Sequence, residues 1–391
     1  MKNSQVRNNL NFLDIFGYIG YMRNKITKKI GIISPYFFPH VGGVTNHVWN
    51  KYIWLKNLGF DVKVITPDFG KSEFDNEDII KVGKPIPIIY NGSITFISLS
   101  FKVKDILERE KFDIIHAHEP YTPFSFIFVR NSEKSVCTFH AFREEPEKIL
   151  VKMGEPLIKT LRKKISKVIT VSKSAQKIVK ETFRIDEEKT VVIPNGINYE
   201  FFSKAEPIKS LQDGKFNILF VGRLEPRKGV KHLIRAYRIF KKIVPESRLI
   251  IVGEGMKTYY LSFVTEDIEK NVWFVGSVPS NTLAQLYKSA DICVFPSTRG
   301  ESFGIVLIEA MAAGKPVIAG NCEGYKETLE NGKYGIIVDP KDEDSLARAM
   351  VELYYKEDLR KELSLRGQEY AKKFDWSNII QKIVKVYNEL F

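Results

Sequence analysis

One plan occurs twice in this chain, and it constrains the fold more than any other feature. The run KIGIISP (29–35) is apolar and ends in a glycine loop, HVGGVTNH. Val44, Val48, Tyr52 and Leu55 follow at helical spacing, and GFDVKVITP is a second apolar run. About 185 residues later the order returns as FNILFVGR (216–223), the turn LEPRKG, a stripe of Val230, Leu233, Ile234, Tyr237 and Ile243, and then SRLIIVGEG. Strand, loop, helix and strand in that order is the unit of a parallel, doubly wound sheet, whose apolar strands need cover on both faces. Two copies call for an α/β chain with two such domains, and 391 residues is length enough for each to bury a core.

Further strands are expected at 113–118, 135–140, 167–172, 271–276, 291–297 and 316–320. VVIPNGINYEFF (191–202) reads as a strand and a Pro-Asn-Gly break with no helix, which puts the first domain at 29–196 and the second at 197–375. The last segment, 376–391, is amphipathic through Ile379, Ile383 and Tyr387 and is expected to pack back on the first domain. Residues 1–28 carry an apolar patch from Leu10 to Met22 that Asp14 interrupts. They read as a tail or a membrane-surface segment, and no small-residue cleavage site follows to suggest a signal peptide. Doubly wound domains bind ligands beyond the carboxyl ends of their strands, so two that face each other would hold a ligand in the cleft between them.

Composition narrows the partners. The net charge of +13 is uneven: residues 1–205 hold 32 Lys and Arg against 22 Asp and Glu, the remainder 28 against 25. A basic first half, with the strip IKTLRKKISKVITVSKSAQKIVK (158–180), suits an anionic partner such as phospholipid headgroups, a phosphorylated small molecule or nucleic acid. No nucleic-acid reading motif is present, so that class is set aside. Cys137, Cys293 and Cys322 lie apart among apolar neighbours and read as reduced thiols of a cytoplasmic protein.

Three segments can carry chemistry. The loop VGGV (41–44) lets backbone N–H groups approach an anion at a helix start, although a plain tight turn needs glycine too. In GRLEPRKG (222–229), Arg223 ends a strand and Lys228 stands at the next helix start, with Arg227 between them. Cations are unfavourable there unless an anion joins them, and a diphosphate would. In RGESFGIVLIEAMAAGKPVI (299–318), Ser302 and Gly304 mark a helix start, with Glu301 on the loop and Glu309 on the second turn. Glu301 can accept from sugar hydroxyls and Glu309 from the two hydroxyls of a ribose; both lie on one segment, unlike carboxylates flanking a scissile bond. His116, His118 and His140 end expected strands, but no third ligand of suitable spacing accompanies His-x-His, so no metal is expected.

From about Lys29 onward, the motifs GGV, TFH, IPNGIN, FVGRLEPRKG, FPSTRGESFGIVLIEAMAAGKPVI and GIIVDPKD together resemble the GT-B-fold, retaining glycosyltransferases of family 4. GKPIPIIYNGS (83–93) and SPYFFPHVGGV (34–44) are most similar to phosphatidylinositol mannosyltransferases. The resemblance implies two Rossmann-like domains facing across a cleft and a nucleoside-diphosphate sugar as donor, GDP-mannose ahead of a UDP-sugar, with no tightly bound cofactor. It places Arg223 and Lys228 on the donor diphosphate, with Gly43 beside it. Glu301, Ser302, Phe303 and Gly304 fall at the donor sugar and phosphates, Glu309 at the ribose and His140 at the reacting sugar. Tyr36 and Asn91 would hold an inositol phosphate headgroup, the enzyme lying peripherally on the inner membrane face. Phe96 stands where those lipid enzymes carry an arginine, which leaves open a soluble acceptor. A nucleotide-sugar epimerase of the same fold is a further alternative.

Overall fold

A computed structural model describes residues 28–40, 42–90, 93–100, 102–140 and 154–391. The expected N-terminal extension therefore lies outside the described residues, apart from Lys28, and so does Asn91.

The first sheet is parallel, with order β3-β2-β1-β6-β7-β8-β9. β1 is Lys29–Ile33, followed by helix α1 (Gly43–Asn57), β2 (Asp61–Thr66) and β3 (Ile79–Lys81). An antiparallel hairpin of β4 (Ile86–Tyr90) and β5 (Ser93–Ile97) stands apart from it. β6 (Ile114–His118), β7 (Ser135–Phe139), β8 (Lys167–Thr170), α2 (Lys173–Ile178) and β9 (Thr190–Val192) complete the unit. Strand alternation divides the apolar residues between two cores. Ile30, Ile32, Val62, Val64 and Ile114 pack with Val48, Tyr52 and Leu55 of α1, while Ile33, Ile65, Ile115 and Ala117 pack on the other face with Phe124 and Phe128.

The second sheet repeats the plan in the order β12-β11-β10-β13-β14-β15, again parallel. Its elements are β10 (Phe216–Val221), α3 (Val230–Ile243), β11 (Ser247–Val252), β12 (Val272–Gly276), β13 (Ile292–Phe295), α4 (Ile305–Ala312), β14 (Val317–Gly320), α5 (Glu323–Thr328) and β15 (Ile336–Val338). The stripe expected on α3 is buried at Val230, Leu233, Ile234 and Tyr237, but Ile243, its last residue, is exposed.

The last helix, α6 (Trp376–Asn388), buries Ile379, Ile383 and Tyr387 in the first sheet's core beside α1. To reach it the chain crosses back beside its first crossing. Ile197 N–H donates to Phe374 O at 2.8 Å, and Trp376 N–H donates to Ile197 O at 3.0 Å. Gly196 lies so close beneath Trp376 that an added Cβ would sit 2.6 Å from its ring.

The expectation of no helix in 191–202 is corrected. A short helix spans Tyr199–Ser203, where Asn198 accepts from Phe201 N–H at 3.1 Å. Five residues are too few to show a helical period, but the cap was readable. β3, the hairpin and β15 were also not read as strands: three-residue strands have no period to detect, and Pro87 disguises the hairpin.

Candidate active site

Beyond the carboxyl end of β10, the turn 222–229 folds against the end of β13. Gly229 has φ +71°, and a Cβ there would meet Pro296 O at 1.9 Å, so only glycine fits this closeness. The turn carries three cations and the segments hold two carboxylates. Glu225 pairs through Oε1 with Arg223 (2.9 Å) and through Oε2 with Arg227 (2.8 Å). Glu301 is buried, and its Oε1 collects Arg227 Nη1 (2.7 Å), Lys228 Nζ (2.7 Å) and the Ser297 hydroxyl (3.1 Å). Oε2 of Glu301 takes no part in these three contacts. Three cations against two carboxylates leave one positive charge in excess, with Arg223 the most exposed of the three.

α4 begins next to this cluster in sequence and adds its N-terminal amides. Gly304 caps it at φ +85°, and a Cβ there would lie 2.4 Å from the Tyr325 ring. Ser302 is buried, and the Phe303 ring packs into the core at 5.5 Å from Phe374, so Phe303 can offer a ligand only its backbone. Glu309 lies on the second turn of α4, half-buried, and accepts from the Tyr287 hydroxyl at 3.0 Å. Burial pushes its carboxyl up to about 7, against the Tyr287 hydrogen bond that favours the charged form.

The first domain faces this side with the loop before α1. His40 is held below its ordinary pKa by burial and then by the Arg223 guanidinium, which brings Arg223 across to the first domain. Gly42 and Gly43 open α1, and a side chain at either would meet no protein atom within 4 Å. Tyr36 is half-buried with its ring 5.5 Å from that of His40, and Phe96 contacts both His40 and Phe69 edge-on at 5.2 Å.

His-x-His spacing puts His116 and His118 on one face of β6, towards α1 and α6. They occupy the middle of the sheet rather than its edge. His118 Nδ1 lies 2.7 Å from His140 Nε2, at the end of the neighbouring β7. The buried Glu119 accepts from the His140 backbone N–H at 3.2 Å. Burial, and then the nearby Lys51, push His140 down to about 3, so the ring is neutral at ordinary pH.

Against known proteins, residues 202–373 match the glycosyl transferases group 1 family and residues 41–201 match glycosyltransferase family 4. A phosphatidyl-myo-inositol mannosyltransferase of Mycobacterium leprae is 33% identical, covering 92% of this chain and 96% of its own. The chain belongs to glycosyltransferase family 4. An uncharacterized glycosyltransferase of Methanocaldococcus jannaschii is also 33% identical, covering 92% of this chain and 97% of its own. Among solved structures, Anabaena HepE in complex with UDP superimposes with a TM-score of 0.75 at 22% identity, covering 92% of this chain and 100% of its own. This enzyme thus has the GT-B fold, two parallel-sheet α/β domains facing across a cleft.

The structure gathers Arg223, Lys228 and Glu301 into one cluster and sets Ser302, Phe303, Gly304 and Glu309 along the segment that continues from it. The expectation that no third ligand accompanies the histidines is corrected: nitrogens of His47, His118 and His140 all lie within 4.8 Å of one another. Both His118 nitrogens nevertheless have hydrogen-bond partners, Lys51 and His140, which leaves no free lone pair for a metal. Sequence reading of this glycosyltransferase missed Glu225 and Tyr287, which hold the cations and Glu309. It also missed His47 and Lys51, although both fall at helical spacing within the apolar stripe of α1.

Proposed function

We propose that this glycosyltransferase moves a mannosyl residue from GDP-mannose, with retention of anomeric configuration, to a hydroxyl of a phosphoinositide-type headgroup. The observation that carries the reading is the excess positive charge of Arg223, Arg227 and Lys228 over Glu225 and Glu301, next to the start of α4. As the donor's sugar leaves, negative charge builds on the β-phosphate, and Arg223, Lys228, the Gly43 loop and the α4 amides stabilise it. Glu301 Oε2 orients the sugar and Glu309 the ribose. His140, neutral, hydrogen-bonds the reacting sugar rather than carrying charge. The departing phosphate takes the acceptor's proton on the same face, which retains the configuration. Closure about Asn195–Gly196, between a first domain ending at 196 and a second beginning at 197, excludes water.

The names of the mycobacterial relatives support mannose and an inositol lipid, and the basic first half supports a peripheral position on the cytoplasmic membrane face. Among the described residues no helix is long and apolar enough to cross a membrane. Phe96 favours a second reading. Its packing against His40 and Phe69 makes an aromatic patch where a phosphate-binding arginine was expected, and such a patch suits an uncharged, soluble acceptor. The test is a panel of labelled GDP-, UDP- and ADP-sugars with phosphoinositide vesicles or free polyols, with product separation and anomeric analysis. Transfer only to vesicles supports the first reading, and transfer to free polyols the second. Conversion without an acceptor would mean an epimerase, and no reaction with any donor overturns the proposal.

A further inference from the structure

Lys51 is fully buried on α1, an unusual place for an ammonium group, with Nζ 3.0 Å from His116 Nε2 and 2.9 Å from His118 Nε2. Burial pushes the Lys51 amine well below its ordinary pKa, but charged or neutral it has N–H groups enough to donate to both imidazole nitrogens, and each ring then keeps its proton on Nδ1. The chain then continues in one direction. His118 Nδ1–H donates to His140 Nε2 at 2.7 Å, which forces the proton of His140 onto its own Nδ1. On the other branch, His116 Nδ1–H donates to the Tyr387 hydroxyl of α6 at 2.5 Å, and the Thr138 hydroxyl lies 2.7 Å from His116 Nε2. His47, from the preceding turn of α1, packs edge-on against His140 at 4.7 Å, and neither of its buried ring nitrogens accepts from Lys51.

We propose that Lys51 is a positioning residue for the transfer: by donating to His118 it sets the tautomer of His118 and, through that, of His140. His140 thereby carries its proton on Nδ1, with Nε2 spent on His118 inside the protein and the Asn195 side chain as a further hydrogen-bonding neighbour of the ring. This inference rests on the reading above that His140 contacts the reacting sugar. A donor fixed in this way costs no reorganisation when a sugar hydroxyl or ring oxygen arrives, whereas a ring free to exchange tautomers would present an acceptor part of the time. A helix stripe that otherwise holds Val48, Tyr52 and Leu55 gains nothing in packing from a lysine at this point.

The test compares wild type with Lys51→Met, an unbranched apolar replacement of similar length. Two-bond proton–nitrogen correlation spectra of ring-labelled histidines read the tautomers directly, without substrate. In wild type, His118 and His140 are expected as Nδ1–H. In Lys51→Met both should become mixed or Nε2–H, with kcat falling on the order of tenfold to a hundredfold while the donor KM stays within about twofold. Lys51→Gln, which restores uncharged N–H donors, should recover the Nδ1–H form and part of kcat. An Nε2–H form of His118 in wild type overturns the proposal even if Lys51→Met fails to fold. Unchanged tautomers in a folded Lys51→Met overturn it too. His140→Ala separates the two claims. If it leaves kcat intact, the role given to His140 fails. If it lowers kcat while Lys51→Met shifts the tautomers without slowing transfer, the positioning role fails and the function above stands.

Discussion

In the proposed donor site one carboxyl group, that of Glu309, joins binding to pH. Its ionised form can accept from both ribose hydroxyls, and its pKa, raised by burial to about 7, makes that form lose ground just below neutrality. The donor KM should therefore rise as pH falls below about 7, by at most about tenfold per unit, and Glu309→Gln should be weaker at pH 8 but flat across the range. Stability runs the other way. The folded state holds a proton that the unfolded state has released above its ordinary value of 4.5, so this group's contribution declines as pH rises from there to about 7. Glu309→Gln should accordingly melt higher than wild type at pH 8, a trade of stability for binding. Lys228 has a different expected signature. It touches Glu301 at 2.7 Å and would face the leaving phosphate, so Lys228→Ala should cut kcat/KM by about a hundredfold or more in a steady-state assay.

β6 shows how much an element can say in advance. Its two histidines share the face that Ile114 turns to the core, and His116, His118, His47 and His140 are all held below their ordinary pKa, burial being the largest cause. The unfolded chain takes up these protons near pH 6.5 while the folded chain refuses them, so stability is fully present above that pH and is lost as pH falls. Denaturant melts between pH 6.5 and 5, above the range of most carboxylates, should show a loss of up to about 1.4 kcal/mol per pH unit for each such histidine. The strand, its place in a parallel sheet and the loop and helix start at α4 were legible because apolar runs and the small residues of GESFGIVLIEAMAAG leave few alternatives. The polar network was not, because its contacts join residues far apart in sequence: Lys51 to His118, His116 to Tyr387, and Arg227 to Glu301. Phe303 shows the converse. Its motif position suggests a ligand contact, and with its ring in the core only its backbone is free to make one. At the head of α4, Gly304→Ala would force a side chain into the left-handed region and into Tyr325, at a cost of about 1–2 kcal/mol from the backbone alone. Calorimetry should show a lower Tm together with weaker nucleotide binding, since the amides of that helix start would be displaced.

At the scale of the whole molecule, the described residues join the two sheets by the paired crossings near Gly196 and Trp376, by Val171 and Ala175 packed into the second domain's core, and by a polar brace. Glu327 of α5, in the second domain, accepts from the backbone N–H groups of Lys173 (2.6 Å) and Ser174 (2.9 Å) at the start of α2 in the first. A carboxylate at the N-terminal amides of a helix is favoured by both hydrogen bonding and the helix dipole, and here the helix and its acid belong to different domains. In the proposed closure the crossings are the pivot, because they lie side by side and are bonded to each other, so rotation there need not unfold either sheet. The brace lies elsewhere and resists that rotation. Glu327→Ala should thus leave each domain's core intact while shifting the chain towards more open arrangements. Small-angle scattering should give a larger radius of gyration than wild type without donor, and the difference should shrink when a nucleoside diphosphate bridges the cleft. Glu327→Gln, which keeps one acceptor but no charge, should fall between the two. An unchanged radius in Glu327→Ala would mean that the crossings alone, with Trp376 seated on Gly196, fix the angle between the domains.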